Sequence, residues 1–377
     1  MSATLELLQR LIAVDSVNPS LVPGGAGEAE IAGLLEQELR GLGLAVQVEE
    51  AAPGRPNVVG VLEGRAAGRT LMLCGHTDTV GVVGMAEAFR PSIRDGRIYG
   101  RGAEDMKGGL AAMVGAARAL ASEGGLPRGR LILACVADEE YGSVGAETLV
   151  RRWSADAAVV PEPTNLEVAI AHKGFALLRV VTRGHAAHGS RPKEGRDAIL
   201  AMGRVLVALG ALDRVLQARP PQPPLGTGSL HAGLIRGGRE VSTYPDECVL
   251  DLERRTLPGE SEAQVLADLE AILHALRREA PDFEAEGRMV LAREPLATPA
   301  EHELPRALLA VAARHGAPGS PTATTFWTDA ALLARAGIPS VVFGPGGGGL
   351  HTPDEFVRAS DVLACEASLV ELARTFC

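Results

Sequence analysis

Thr70-Leu71-Met72-Leu73-Cys74-Gly75-His76-Thr77-Asp78 is the stretch from which the fold can be read. Residues 70–74 form a short apolar run without alternation, which reads as a strand covered on both faces. His76 and Asp78 follow just beyond its carboxyl end. Three other runs end in the same manner. Residues 131–136 lead into Asp138-Glu139-Glu140, residues 157–160 into Pro161-Glu162-Pro163-Thr164, and residues 340–343 into a glycine-rich segment that closes on His351. Ligands of open α/β sheets bind outside the carboxyl ends of the strands. Four strands therefore bring a His or a Glu to one rim, and the loop of residues 99–109 adds Asp105.

Outward from this rim the chain has 377 residues, enough for two domains. Its 46% hydrophobic and 22% charged residues exclude disorder as the global state. With 37 basic and 47 acidic side chains, the net charge of −10 removes the usual attraction to nucleic acid or anionic membrane. Five scattered cysteines without a C-x-x-C pair indicate a reducing, cytoplasmic compartment, and Cys74 and Cys135 lie within apolar runs as inert buried thiols. No basic, apolar leader is expected at the N-terminus, and the apolar run 198–212, broken by Arg204, is too short to span a bilayer.

Strands at 46–48 and 58–62 and helices at 28–40 and 108–121 continue the α/β texture. It changes near Gly174. Strands at 175–181, 230–235 and 249–252, with helices at 197–217 and 260–278, give a β-α-β-β-α order with one open sheet face. From about residue 294 the α/β texture returns, with helices at 303–315, 329–336 and 360–376. The expected architecture is an α/β catalytic domain, a mixed sheet with helices on both faces, formed by residues 1–174 and 290–377. An α+β lid and dimerisation domain, residues 175–289, interrupts it.

Two imidazoles and several carboxylates at one rim suit zinc, with cobalt or manganese as substitutes. Charge favours two divalent ions, because three or four carboxylates in one cleft repel unless neutralised. A single His or Glu after a strand is ordinarily a cap or a surface residue; joint occurrence at four strand ends is what points to a site. Asp78, two residues beyond His76, is placed to fix the imidazole. Adjacent Glu139 and Glu140 can divide into one ligand and one base. The glycines at 346–349 lack the spacing of a phosphate loop, and instead let the backbone curl close to a substrate and position His351.

The motifs at 75–80, 100–109, 138–140 and 162–164 together resemble the di-metal amidohydrolase family of acetylornithine deacetylase, succinyl-diaminopimelate desuccinylase, aminoacylase and glutamate carboxypeptidase. The resemblance extends over nearly the whole chain. It implies that His76 and Glu162 bind one ion, that Glu140 and His351 bind the other, and that Asp105 bridges them. Glu139 is then the general base, and Asp78 orients His76. The inserted domain implies a homodimer and a histidine reaching the partner's active site. Residues 184–190 match that segment through His188, with His185 a second candidate. Residues 253–259 place Arg255 as the clamp for a substrate carboxylate; Arg254, one alternation away, faces oppositely. Ser242 departs from the asparagine many members carry there.

The implied activity is hydrolysis of an N-acyl amino acid, closest to the acetylornithine deacetylase branch. The alternative is a dipeptidase or carboxypeptidase using the same chemistry on a short peptide. A binding protein that had lost catalysis is disfavoured by the presence of Glu139 and every ligand. A co-catalytic aminopeptidase has a similar ligand set but usually lacks the inserted domain.

Overall fold

The computed structural model describes residues 2–377. The chain divides into two compact units, one of Met1–Ala171, Ala297–Thr324 and Thr328–Cys377, the other of His172–Leu296 with Thr325–Trp327.

The first unit is built on a mixed sheet. From one edge its strands run Ala45–Ala52, Arg55–Glu63, Arg130–Val136, Thr70–His76, Ala157–Val160, Ser340–Val342, Ala169–His172 and Leu296–Ala297, with Thr322–Thr324 paired beside Ala169–His172. The four strands whose ends carry His or Glu are consecutive neighbours, and all three pairings among them are parallel. Their carboxyl ends consequently share one rim. Every residue of Thr70–His76 is buried, as a doubly covered strand requires.

Helices Ala3–Ala13, Ala29–Gly41, Gly108–Ser122, Glu303–Arg314 and Ala359–Phe376 contribute to one continuous apolar core. The short helices Val144–Leu149 and Ala330–Arg335 pack against the sheet and against each other. Gly109 lets the Gly108–Ser122 helix start hard against a strand end, since a Cβ there would lie 2.1 Å from the Pro161 carbonyl oxygen. A small second sheet, in the order Gly347–Gly348, Phe356–Arg358, Arg97–Tyr99 and Ser92–Arg94, flanks the His351 segment. Its Ser92–Tyr99 hairpin turns on Asp95-Gly96, both with positive φ, a two-residue signal that the strand reading passed over.

The second unit is one four-stranded antiparallel sheet, Ser229–Gly237, Glu247–Thr256, Gly174–Arg183 and Glu284–Arg293 in that order. Helices Ala198–Gln217 and Glu262–Glu279 share an apolar core with the alternating buried residues of the two central strands. Asp197 and Ser261 cap the two helices by accepting from the N–H groups of Leu200 and Gln264, each cap contributing about 1 kcal/mol.

The order is therefore β-α-β-β-α-β, one strand more than expected. Glu284–Arg293 opens with charge at alternate positions, Glu284, Glu286 and Arg288, and its apolar residues 289–292 straddle a register shift, which hid it. Because that strand pairs along Gly174–Arg183, the inserted unit ends at Leu296 rather than at 289. Trp327 joins it by packing edge-on against Phe175, 5.8 Å between ring centres, and donating to the Glu294 carbonyl oxygen at 3.0 Å.

Candidate metal centre

His76 ends its strand with the ring almost wholly enclosed. Its Nδ1 donates to the backbone oxygen of Asp78 at 3.0 Å, whereas the Asp78 carboxylate stands 3.6 Å away. The aspartate thus meets the ring through its main-chain oxygen and, at longer range, through its carboxylate. With Nδ1 carrying the proton, Nε2 keeps its lone pair for the rim. That atom lies 3.0 Å from Asp105 Oδ1 and 3.5 Å from Glu162 Oε1. On the other side, His351 Nε2 lies 3.1 Å from Asp105 Oδ2 and 3.5 Å from Glu140 Oε2. Asp105 therefore presents one carboxylate oxygen to His76 and the other to His351.

The Asp78 carboxylate has a different task. It accepts from the backbone N–H groups of Glu139 and Glu140, each at 3.1 Å, and from Asn18 Nδ2 at 2.7 Å. Asn18 also donates to Asp138, which takes a second bond from Arg55 at 2.9 Å; Arg55 in turn forks onto Glu28. Asp138 needs this support, for its φ of 71° is costly for a residue with a Cβ. The buried chain Glu28–Arg55–Asp138–Asn18–Asp78 holds the turn that aims Glu139 and Glu140. Of this chain the sequence reading named only Asp78 and Asp138, because residues 18, 28 and 55 follow no strand end.

Burial pushes the Glu139 and Glu162 carboxyls well above the usual range, against the attraction of His76. Burial and the Asp105 charge raise Glu140 to about 7. Asp105 moves down instead, because hydrogen bonds to His351 and His76 outweigh its burial. Those bonds to Asp105 and Glu140 lift His351 to about 10. The residues fit divalent cations on their own geometry. His76 with Asp105 and Glu140, and His76 with Glu139 and Glu162, each offer three ligand atoms within 4.8 Å of one another. Glu140 Oε1 is buried with no hydrogen-bond partner among the described residues, an arrangement that polar groups avoid unless something charged completes it.

His185, His188, Arg254 and Arg255 all belong to the second unit. Arg254 is enclosed, with Glu260 and Asp268 each 2.6 Å from its guanidinium, so it braces that unit internally. Arg255 lies on the opposite face, beside Glu253 at 2.9 Å and over the Phe175 ring at 5.7 Å. His188 sits on an exposed loop that bridges to Thr243, its Nδ1 accepting from the Ser190 N–H at 3.2 Å. Ser242 supplies a backbone oxygen to that loop, accepting from Gly189 N–H at 2.7 Å. His185 is tied to Arg196 by two backbone bonds.

A carboxylate shared between two imidazoles, with further carboxylates beside them on the rim of a mixed α/β sheet, marks a metallohydrolase. The chain belongs to peptidase family M20/M25/M40, whose model matches residues 72–375. It is 33% identical to an acetylornithine deacetylase of Myxococcus xanthus, over 100% of this chain and 99% of that one. An N-formyl-4-amino-5-aminomethyl-2-methylpyrimidine deformylase of Bacillus subtilis is 28% identical, over 99% of this chain and 94% of its own. Among solved structures, an M20 family metallo-carboxypeptidase from Sulfolobus solfataricus superposes with a TM-score of 0.83 at 19% identity, covering 100% of this chain and 99% of that one. No helix among the described residues is long and apolar enough to cross a membrane.

Proposed function

We propose that this chain is a metal-dependent hydrolase that cleaves the amide bond of an N-acyl amino acid, releasing a carboxylate and the free amino acid. The observation that carries this reading is Asp105 set between His76 and His351, in a chain alike over its full length to an acetylornithine deacetylase. His76 and Glu162 would hold one divalent ion, Glu140 and His351 the other, with Asp105 between them. The mixed nitrogen and oxygen donors favour zinc, with cobalt or manganese as substitutes. Bound there, the ions supply Lewis acidity to the scissile carbonyl and to water.

Glu139 is the remaining carboxylate of the rim. Its raised pKa suits a group that takes a proton from the attacking water and delivers it to the leaving nitrogen. Asp78 keeps Glu139 and Glu140 in fixed relation by holding both their N–H groups. His188 is assigned to the developing oxyanion and Arg255 to the substrate carboxylate, charges that an acidic rim cannot stabilise. Leu200, Val207, Leu234 and Ile235, each more than half exposed, lie on the second unit's helix Ala198–Gln217 and on Ser229–Gly237, the edge strand of its sheet. These exposed apolar side chains and that strand edge support a homodimer formed through that unit. Five free, buried cysteines support a cytoplasmic setting.

A hydrolysis panel tests the assignment. N-acetylornithine and other N-acetyl amino acids are expected to be turned over with kcat/KM at least about tenfold above dipeptides, N-succinyl-diaminopimelate and an N-formyl aminopyrimidine, about 1.4 kcal/mol of discrimination. A preference for dipeptides would replace the deacylase with a peptidase. Chelation should remove activity, and zinc or cobalt should restore it.

Metal uptake is also expected to expel protons at pH 7. Glu140 titrates at about 7 and His351 at about 10, so both are substantially protonated in the metal-free protein and must be deprotonated as ligands. Calorimetric titration with zinc in buffers of different ionisation enthalpy should show net release, with affinity falling as the pH drops below 7. Buffer-independent heats would contradict this.

A further inference from the structure

We infer that Glu355 is a positioning residue that sets the bridging carboxylate Asp105 relative to His351. The inference rests on the two-ion reading above. The Glu355 side chain is completely buried, a state a carboxylate tolerates only when its lone pairs are satisfied. Here the donors come from one short segment. Oε1 accepts from the backbone N–H groups of Glu104 at 2.9 Å and Asp105 at 3.1 Å. Oε2 accepts from the Gly102 N–H at 3.0 Å and from the Arg101 guanidinium at 2.5 Å. The Glu355 carbonyl oxygen takes a further bond from the Gly100 N–H at 3.2 Å.

Residues 100–105 are thus wound around a single anion, and Asp105 is among the residues whose N–H it holds. Gly102 permits the winding, with φ at +79° and with Thr79 and Lys107 side-chain atoms within 3 Å of where a Cβ would stand. Arg101 extends the anchor by donating to the carbonyl oxygens of Gly81 at 3.1 Å and Thr352 at 3.3 Å. Glu355 lies four residues beyond His351, itself in a left-handed conformation with φ of 60°. The same carboxylate therefore ties the loop of the bridging ligand to the loop of a ligand of the second ion. Neither connection involves Glu355 in the reaction itself.

Glu355→Gln keeps the shape but turns an N–H₂ group toward either the Glu104 and Asp105 amides or Gly102 and Arg101. Affinity for the ions should fall about 10–100-fold, the usual cost of losing a group that orients metal ligands. Titration of metal-free protein with Co²⁺, followed by absorption and by paramagnetic resonance of the coupled pair, reads this without any turnover. Amide exchange at residues 102, 104 and 105 of the metal-free protein should accelerate, and kcat should drop with KM within about twofold. Glu355→Asp retains the charge on a shorter stem and should recover part of the affinity. If the glutamine variant does not fold, the aspartate variant carries the same titration, with a loss of at least about threefold expected. Wild-type Co²⁺ affinity and coupling in either folded variant, with or without a lower Tm, would overturn the inference and leave the two-ion reading standing. Failure of the unaltered protein to take up two ions would overturn both.

Discussion

Glu139→Gln is expected to lower kcat by about 10²–10⁴-fold, the range for loss of a general acid–base group, while both metal ions remain bound. Glutamine fills the same volume and leaves the N–H to Asp78 bond intact, so the turn that carries Glu140 keeps its place. What disappears is an acceptor for the water proton. Glu140→Gln should act differently. It replaces an oxygen 3.5 Å from His351 Nε2, so occupancy of one ion should fall before any intrinsic change in turnover is seen. Metal analysis of both purified variants, paired with kcat on an N-acetyl amino acid, separates the two roles. Metal loss in Glu139→Gln with full occupancy in Glu140→Gln would exchange base and ligand.

His188→Ala should reduce kcat by about 10²–10³-fold, the cost of deleting one oxyanion donor, with a smaller change in KM. Arg255→Ala should show the converse, a raised KM, because it withdraws a ground-state clamp from the substrate carboxylate. If the His188 imidazole serves the neighbouring subunit, two inactive proteins complement each other. Mixing His188→Ala with Glu139→Gln and allowing subunits to exchange gives heterodimers in which one site regains both groups. Recovery of activity toward one quarter of the wild-type value is the expected maximum, since half the dimers are mixed and each has one intact site. No recovery despite demonstrated exchange would confine His188 to its own subunit or remove it from catalysis.

Strands and the residues of the rim were legible wherever the information was local. A fully buried strand needs a short unbroken apolar run, and His76, Glu139, Glu140 and Glu162 stand at or within a few residues of such an end, whereas His351 follows its strand only after a glycine-rich segment. Asp105, on a glycine-punctuated loop, could be named as well. The alternation at 253–256 separated Arg254 from Arg255, and the structure puts the first against Glu260 and Asp268 and the second on the opposite face. Strand Glu284–Arg293 escaped because its first half is charged at alternate positions and its apolar residues come late, and pairing with Gly174–Arg183 makes it a strand.

Residue type and spacing by themselves determined a mixed α/β protein with an inserted α+β unit and a rim of two imidazoles and several carboxylates. Tertiary structure alone decided that the four strand ends are neighbours, that Asp105 turns one oxygen to His76 and the other to His351, and that the Asp78 carboxylate holds the N–H groups of Glu139 and Glu140. It also decided that Glu355 anchors a loop some 250 residues earlier in the chain. Strand character depends on the nearest few residues. A buried carboxylate is instead defined by the donors that folding brings to it, and no spacing along the chain encodes donors so far apart.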